Sequence, residues 1–122
     1  MRKRVMTVDD SATVRQILKM TLEEASYQVF QAEDGQDALE KLIDQEIDLL
    51  VTDLNMPRLD GIELIKQVRQ SPGRRFLPII MLTSESHPEK KQAGKAAGAS
   101  GWIVKPFKPT QLLAVVRMVC PS

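Results

Sequence analysis

The chain has very few of the residues on which several common site chemistries depend. It has one cysteine, Cys120, so no disulfide can form within it, and a reducing, cytoplasmic setting is expected. It has one histidine, His87, which argues against a histidine-rich metal site and against a Ser-His-Asp triad of the usual kind. The chemistry of any site must therefore come from other side chains.

Long apolar runs and excess charge are also missing. No apolar stretch is long enough to cross a bilayer, and the basic start is followed by Val5–Val8 and two aspartates, which does not fit a signal peptide. The net charge of +1 gives no global field, so neither nucleic acid nor membrane insertion is expected. What remains is an ordinary composition, with 43% hydrophobic and 27% charged residues, typical of one globular domain over residues 1–122.

Five short apolar runs alternate with five stretches of helical periodicity. This alternation predicts an α/β fold, a parallel sheet wound on both sides through right-handed crossovers. The most apolar run is expected inside the sheet and Val29–Ala32, which alternates, at its edge. The predicted strands are Arg4–Val8, Val29–Ala32, Asp48–Thr52, Pro78–Thr83 and Gly101–Val104.

The last two helical stretches are unusual. Lys90–Ala97 is poor in large apolar residues, and Gly94 inside it should weaken the helix by about 1 kcal/mol relative to alanine, so this helix is expected to be the least stable. The final helix, which opens at Pro109, is apolar around much of its circumference. That excess indicates either deeper burial or a contact surface.

Charged and hydroxyl side chains stand where four of the five predicted strands end. Asp9 and Asp10 follow the first strand, Asp53 the third, and Lys105 the fifth, while Thr83 closes the fourth. Each alone could be a cap or a surface residue, but all four strand ends together point to a ligand site at the carboxyl edge of the sheet.

Three carboxylates at one edge need relief of their repulsion, which is about 4 kcal/mol for a pair at about 4 Å and an effective dielectric of 20. A raised pKa or a divalent cation would supply it, and Mg²⁺ fits best because it takes carboxylates, waters and a phosphate oxygen. With Lys105 and Thr83 binding phosphoryl oxygens, Asp53 could itself be the nucleophile of a phosphoryl transfer.

The same residues carry a family resemblance along nearly the whole chain. In this order and spacing the chain resembles a response-regulator receiver domain, specifically a stand-alone one of the CheY-like chemotaxis type. The resemblance implies a flavodoxin-like sheet with strand order 2-1-3-4-5 and five helices. The motifs are Val8-Asp9-Asp10-Ser11, Asp53-Leu54-Asn55-Met56-Pro57 with Asp60-Gly61, Leu82-Thr83-Ser84, Ala97-Gly98-Ala99 and Lys105-Pro106-Phe107.

The resemblance also implies a role for each site residue. Asp53 would accept a phosphoryl group from the phosphohistidine of a histidine kinase. Asp10, Asp53 and the main-chain carbonyl of Asn55 would bind Mg²⁺ directly, and Asp9 would act through water. Lys105 would contact a phosphoryl oxygen, and Thr83 would move toward the phosphoryl group.

Three further positions follow from the resemblance. Asn55 and Glu85 would tune the lifetime of the phosphoryl group, which we expect to be short. The Lys105-Pro106 bond would be cis. Trp102 stands where the family usually has tyrosine, and its bulk and donor-only indole leave two alternatives: an aromatic switch driven by Thr83, or a side chain that only covers an edge strand.

Partners follow from the family as well. A histidine kinase would be the phosphodonor, a phosphatase could remove the phosphoryl group, and a downstream target would bind the last two helices and the fifth strand. The lysines of the fourth helix, Lys90, Lys91 and Lys95, are either a solvated face or a docking patch for an acidic partner. The chain would be a monomer or a weak dimer, and not an enzyme apart from self-phosphorylation and autodephosphorylation. A phosphorelay intermediate, or a regulator that acts by dimerising, is the alternative within the family.

Two other classes fit less well. An aspartyl-phosphate hydrolase would carry Asp-x-Asp after the first strand, whereas Asp9 and Asp10 are adjacent. A nucleotide or flavin binder would need a glycine-rich phosphate loop, which the turns after the first strand lack.

Overall fold

The computed structural model describes residues 2–84 and 88–121. The strands are β1 (Arg4–Val8), β2 (Gln28–Ala32), β3 (Leu49–Asp53), β4 (Ile79–Thr83) and β5 (Gly101–Val104). The helices are α1 (Ala12–Glu24), α2 (Gly35–Leu42), α3 (Gly61–Gln70), α4 (Pro88–Ala97) and α5 (Pro109–Val119). The predicted alternation of strands and helices is confirmed.

All five strands pair in parallel, in the order β2-β1-β3-β4-β5. This confirms the doubly wound fold and the strand order implied by the family. Every residue of β3 and β4 is buried, as expected for interior strands covered on both faces. The edge position predicted for β2 is also confirmed.

Two apolar cores lie on opposite faces of the sheet. One joins the sheet to the inner faces of α2 and α3, through residues such as Leu42 and Leu64, and the other joins it to α1 and α5, through Leu18 and Leu112. The cores cover both faces of the sheet between two layers of helices. The polar residues lie outside them, at the carboxyl ends of the strands.

β3 begins and ends one residue later than the sequence predicted. Asp53 is the last residue of the strand and pairs with Leu82 of β4, rather than following the strand in the loop. Asp48 precedes the strand, where its carboxylate accepts the main-chain N–H of Arg4 at 2.7 Å. Asp53 is therefore held by sheet pairing as well as by its side-chain contacts.

Gly94 has a packing role that the sequence did not predict. It is the buried residue of α4, and a Cβ atom there would lie 2.7 Å from Cζ3 of the Trp102 ring. The indole therefore occupies the space that a larger residue would fill. Glycine at this position lets β5 and α4 approach each other, even though it lowers the intrinsic stability of the helix.

Burial explains most of the apolar excess of α5. Leu112 and Val116 are fully buried, and Leu113, Val115 and Val119 pack against the same core. Met118 is 82% exposed and does not belong to it.

Polar contacts with the neighbouring helices cover part of the outer edge of β2. The ammonium of Lys41 donates to the main-chain carbonyl of Gln31 at 2.8 Å, and the side-chain amide of Gln31 donates to the carbonyl of Arg15 at 3.1 Å. In the part of the chain that the structure describes, no helix has the length and apolar character needed to cross a membrane.

Candidate functional site

The carboxyl ends of four strands bring the predicted polar residues together. Asp9 and Asp10 follow β1, Asp53 closes the neighbouring strand β3, and these three residues each offer a carboxylate oxygen within 4.8 Å of the others. Asp9 is fully buried and Asp53 is 5% exposed, while Asp10 is exposed to solvent. The predicted cluster of three carboxylates at one edge of the sheet is confirmed.

Asp9 is fixed at both oxygens. Its Oδ1 accepts the main-chain N–H of Ser11 at 2.9 Å, and its Oδ2 accepts the ammonium of Lys105 at 3.0 Å. Ser11 in turn caps α1, because its hydroxyl oxygen accepts the N–H of Val14. The turn from β1 into α1 therefore orients a carboxylate that would otherwise be costly to bury.

Asp53 shares the same lysine. Its Oδ1 accepts Lys105 Nζ at 3.1 Å and the main-chain N–H of Leu54 at 2.9 Å. The main chain of Lys105 is placed by its own N–H, which donates to the carbonyl of Thr83 at 2.7 Å. One ammonium thus bridges two buried carboxylates.

The shared lysine leaves the charge of the pair incompletely balanced. Burial raises the pKa of the Asp53 carboxyl above its ordinary value, and the charge of Asp9 raises it further, while Lys105 opposes both effects. Burial acts to lower the pKa of Lys105, but its hydrogen bond and charge contact with Asp9, together with Asp53, outweigh burial and raise it. Lys105 is therefore charged at neutral pH, and the site still has an excess of negative charge.

This donor set fits Mg²⁺. The cation prefers carboxylate and carbonyl oxygens and retains several waters, and the site offers two buried carboxylates beside an exposed one that borders solvent. A divalent ion would also relieve the repulsion that raises the pKa of Asp53. The predicted magnesium site therefore has a physical basis in the charges and burial of these residues.

The remaining predicted residues lie around this cluster or outside the described residues. Thr83 is fully buried at the end of β4, and Asn55 is exposed two residues beyond Asp53. The Lys105-Pro106 peptide bond is cis, as expected from the resemblance. Glu85 lies outside the described residues.

Trp102 lies half-buried in β5, with its ring against Gly94 of α4 and its main chain in register with Met81 of β4. Val104, two residues further along the strand, pairs with Thr83. The tryptophan therefore contacts α4 from the strand that pairs with the one carrying Thr83.

Comparison with known proteins identifies the family. The model of the response regulator receiver domain matches residues 5–117, which is nearly all of the chain. The chain belongs to this family. Receiver domains are phosphoryl acceptors rather than enzymes in the ordinary sense.

Several relatives of this receiver domain are single domains of the same size. The chemotaxis protein CheY4 of Vibrio cholerae is 46% identical, with a TM-score of 0.94, and the match covers 98% of this chain and 99% of that one. The chemotaxis protein CheY1 of Helicobacter pylori is 39% identical over 118 residues, 95% of each protein. The response regulator TrrA of Thermotoga maritima, solved in complex with Mg²⁺ and BeF, is 32% identical with a TM-score of 0.85, covering 96% of this chain and 98% of that one.

Other relatives are longer. The chain is 38% identical to two transcriptional regulatory proteins of Bacillus subtilis and spans about half the length of each.

Two arginines that the sequence analysis did not single out make structural contacts, Arg58 near the site and Arg69 at the opposite edge of the sheet. Arg58, in the loop after β3, forms an ion pair with Asp34, and Arg69 of α3 donates to the main-chain carbonyls of Arg74, Leu77 and Gly98. The contacts of Arg58 with Asp34 and of Arg69 with Gly98 join positions far apart in the chain. No periodicity or motif marks either residue.

Proposed function

We propose that the chain is the phosphoacceptor of a two-component system, with Asp53 as the site of phosphorylation. The observation that supports this most is the ammonium of Lys105, which contacts both Asp9 and Asp53 at about 3 Å beside the exposed carboxylate of Asp10. A lysine and a cluster of carboxylates able to bind a metal supply the charge neutralisation that phosphoryl transfer requires.

In the proposed reaction an oxygen of the Asp53 carboxylate attacks the phosphorus of a phosphohistidine on a histidine kinase. The P–O bond forms as the P–N bond breaks, and the imidazole leaves with the electron pair and gains a proton from solvent. Lys105 would move from its carboxylate contacts to a phosphoryl oxygen, and Thr83 would donate its hydroxyl hydrogen to another. Mg²⁺, held by Asp10, Asp53 and the carbonyl of Asn55 with Asp9 acting through water, would neutralise the charge that develops on the phosphoryl oxygens.

The domain would comprise residues 1–122 and exist as an equilibrium between inactive and active conformations, which phosphorylation shifts. The movement of Thr83 would be passed to Trp102 and α4, and a target protein would bind the face formed by α4, β5 and α5. Asn55 and Glu85 would set how long the phosphoryl group persists, with autodephosphorylation or a phosphatase ending the state. The similarity to CheY4 and CheY1, which are chemotaxis proteins, supports a role in chemotaxis, in the cytoplasm.

The test is the intact mass of the protein after incubation with acetyl phosphate and Mg²⁺, a donor that needs no kinase. We expect one added phosphoryl group, none after EDTA treatment, and none in Asp53→Asn. Asp60→Asn is the matched control, because Asp60 caps α3 and asparagine caps as well, so this variant should be phosphorylated like the parent.

Addition of a phosphoryl group to Asp53→Asn at the rate of the parent would refute the assignment of Asp53. If acetyl phosphate leaves the parent unmodified although it binds Mg²⁺, the same assay with a histidine kinase as donor decides whether the acceptor function stands.

A further inference from the structure

Arg58 adopts a backbone conformation that disfavours its side chain. Its φ is +67°, in the left-handed region where glycine is the usual residue. It lies in the loop of residues 54–60, which joins β3 to α3 and carries Asn55. A contact made by the arginine side chain can offset this backbone cost.

That contact is with Asp34, at the start of α2. The Nε and Nη2 atoms of Arg58 donate to Oδ2 of Asp34 at 3.1 and 2.6 Å. The other carboxylate oxygen, Oδ1, accepts the N–H of Asp37 at 2.9 Å and so caps α2. Asp34 is only 6% exposed, and its two carboxylate oxygens accept hydrogen bonds from different partners.

The loop also rests directly on the same turn of helix. A Cβ atom at Gly35 would lie 2.8 Å from the carbonyl oxygen of Leu59, so loop and helix touch through their main chains. At its two ends the loop is tied by main-chain bonds, from Leu54 N–H to the carbonyl of Leu82 and from Gly61 N–H to the carbonyl of Leu54. Between these ends, the pair of Arg58 and Asp34 joins the loop to α2.

We propose that the ion pair between Arg58 and Asp34 positions the loop of residues 54–60 for binding Mg²⁺. The inference rests on the proposed function, because the metal ligand that the loop would supply is the carbonyl of Asn55. Arg58 is a positioning residue that touches neither metal nor phosphoryl group in this scheme. It holds α2 and the loop together so that the carbonyl lies in place before the ion arrives.

The direction in which Mg²⁺ affinity changes when Arg58 is lost distinguishes a positioning role from a purely electrostatic one. Arg58 is a cation on a loop that serves a cation site, so its loss should strengthen Mg²⁺ binding if only its charge matters. Loss of a positioning contact should weaken binding instead. Glycine at this position also removes the backbone strain, so the folded state should not suffer.

The experiment is a calorimetric titration of Mg²⁺ into the parent, Arg58→Gly, Asp34→Asn and the variant that carries both changes, with thermal unfolding in EDTA alongside. We expect Arg58→Gly to raise the Kd for Mg²⁺ at least threefold while its unfolding temperature stays at or above that of the parent. Asp34→Asn keeps a capping side chain, and adding it to Arg58→Gly should raise the Kd no further, since either change breaks the same pair. Arg75→Gly is the control: Arg75 is an exposed loop arginine whose side chain stacks on Phe76, and its loss should leave the Kd unchanged.

An unchanged or lower Kd in Arg58→Gly, with a parent that binds Mg²⁺, would overturn this inference and leave the proposed function standing. A fall in unfolding temperature that accompanies the loss of affinity would assign Arg58 a merely structural role and would also overturn it. A parent that binds no Mg²⁺ would overturn the proposed function and this inference with it.

Discussion

Lys105 offsets part of the negative charge of the site, and its removal should destabilise the metal-free protein. In Lys105→Met the buried carboxylates of Asp9 and Asp53 lose the ammonium that lies 3.0 and 3.1 Å from them. Each contact represents about 5 kcal/mol of direct attraction at an effective dielectric of 20. The cost of dehydrating the charges offsets most of this, and the lysine is partly exposed, so we expect a net loss of about 2–3 kcal/mol.

Magnesium should reverse much of that loss. Without the lysine the site carries more negative charge, so Mg²⁺ should bind more tightly and raise the unfolding temperature more than it does in the parent. The assay is thermal unfolding in EDTA and at a series of Mg²⁺ concentrations. For a chain of this size the loss in EDTA corresponds to about 10 °C.

Lys66→Met, which removes an exposed lysine of α3, provides the control and should leave both curves unchanged. The reasoning about charge balance would be wrong if Lys105→Met unfolded in EDTA at the temperature of the parent, or if Mg²⁺ stabilised it less than the parent.

Three further predictions concern stability. The pKa of Asp53 is raised, so the folded state binds the proton of this carboxyl more tightly than the unfolded state does. The free energy of unfolding in EDTA should therefore fall as pH rises through the folded pKa of Asp53. Urea titrations across pH should show this fall in the parent and not in Asp53→Asn. Gly94→Ala should destabilise the protein by about 1–2 kcal/mol despite the better helix propensity of alanine, because the new methyl group meets Trp102, and Trp102→Ala should abolish that cost when unfolding is followed by circular dichroism. Arg69→Met should lower the unfolding free energy by about 2 kcal/mol, since it leaves the carbonyl of Gly98 and two others without their charged donor; a change below 0.5 kcal/mol would contradict this.

The sequence predicted the sheet and the cluster well because both depend on local patterns. Apolar runs identify buried strands, and parallel pairing brings their carboxyl ends to one edge, so Asp9, Asp10 and Asp53 could be placed together before any coordinates were known. The strand order came from the family resemblance instead. Periodicity alone does not say which strands are neighbours.

What the sequence could not predict are contacts that depend on the meeting of distant elements. Gly94 was expected only to weaken its helix, because propensity describes the isolated segment and takes no account of the Trp102 ring that the fold brings against it. Arg58 and Arg69 likewise carried no pattern, since Asp34, the partner of Arg58, lies 24 residues away in the chain and Gly98, one of the partners of Arg69, lies 29 residues away. The bounds of β3 shifted by one residue because pairing with β4, rather than hydrophobicity, decides where that strand stops.

The polar cover on β2 has a consequence for the behaviour of the protein in concentrated solution. An edge strand offers unpaired main-chain groups to any other extended chain, and proteins commonly block such edges with lysine. With the Gln31 carbonyl occupied by Lys41, a second molecule could extend the sheet there only by first displacing that ammonium. The side chain thus hinders the edge-to-edge association of two sheets at this position.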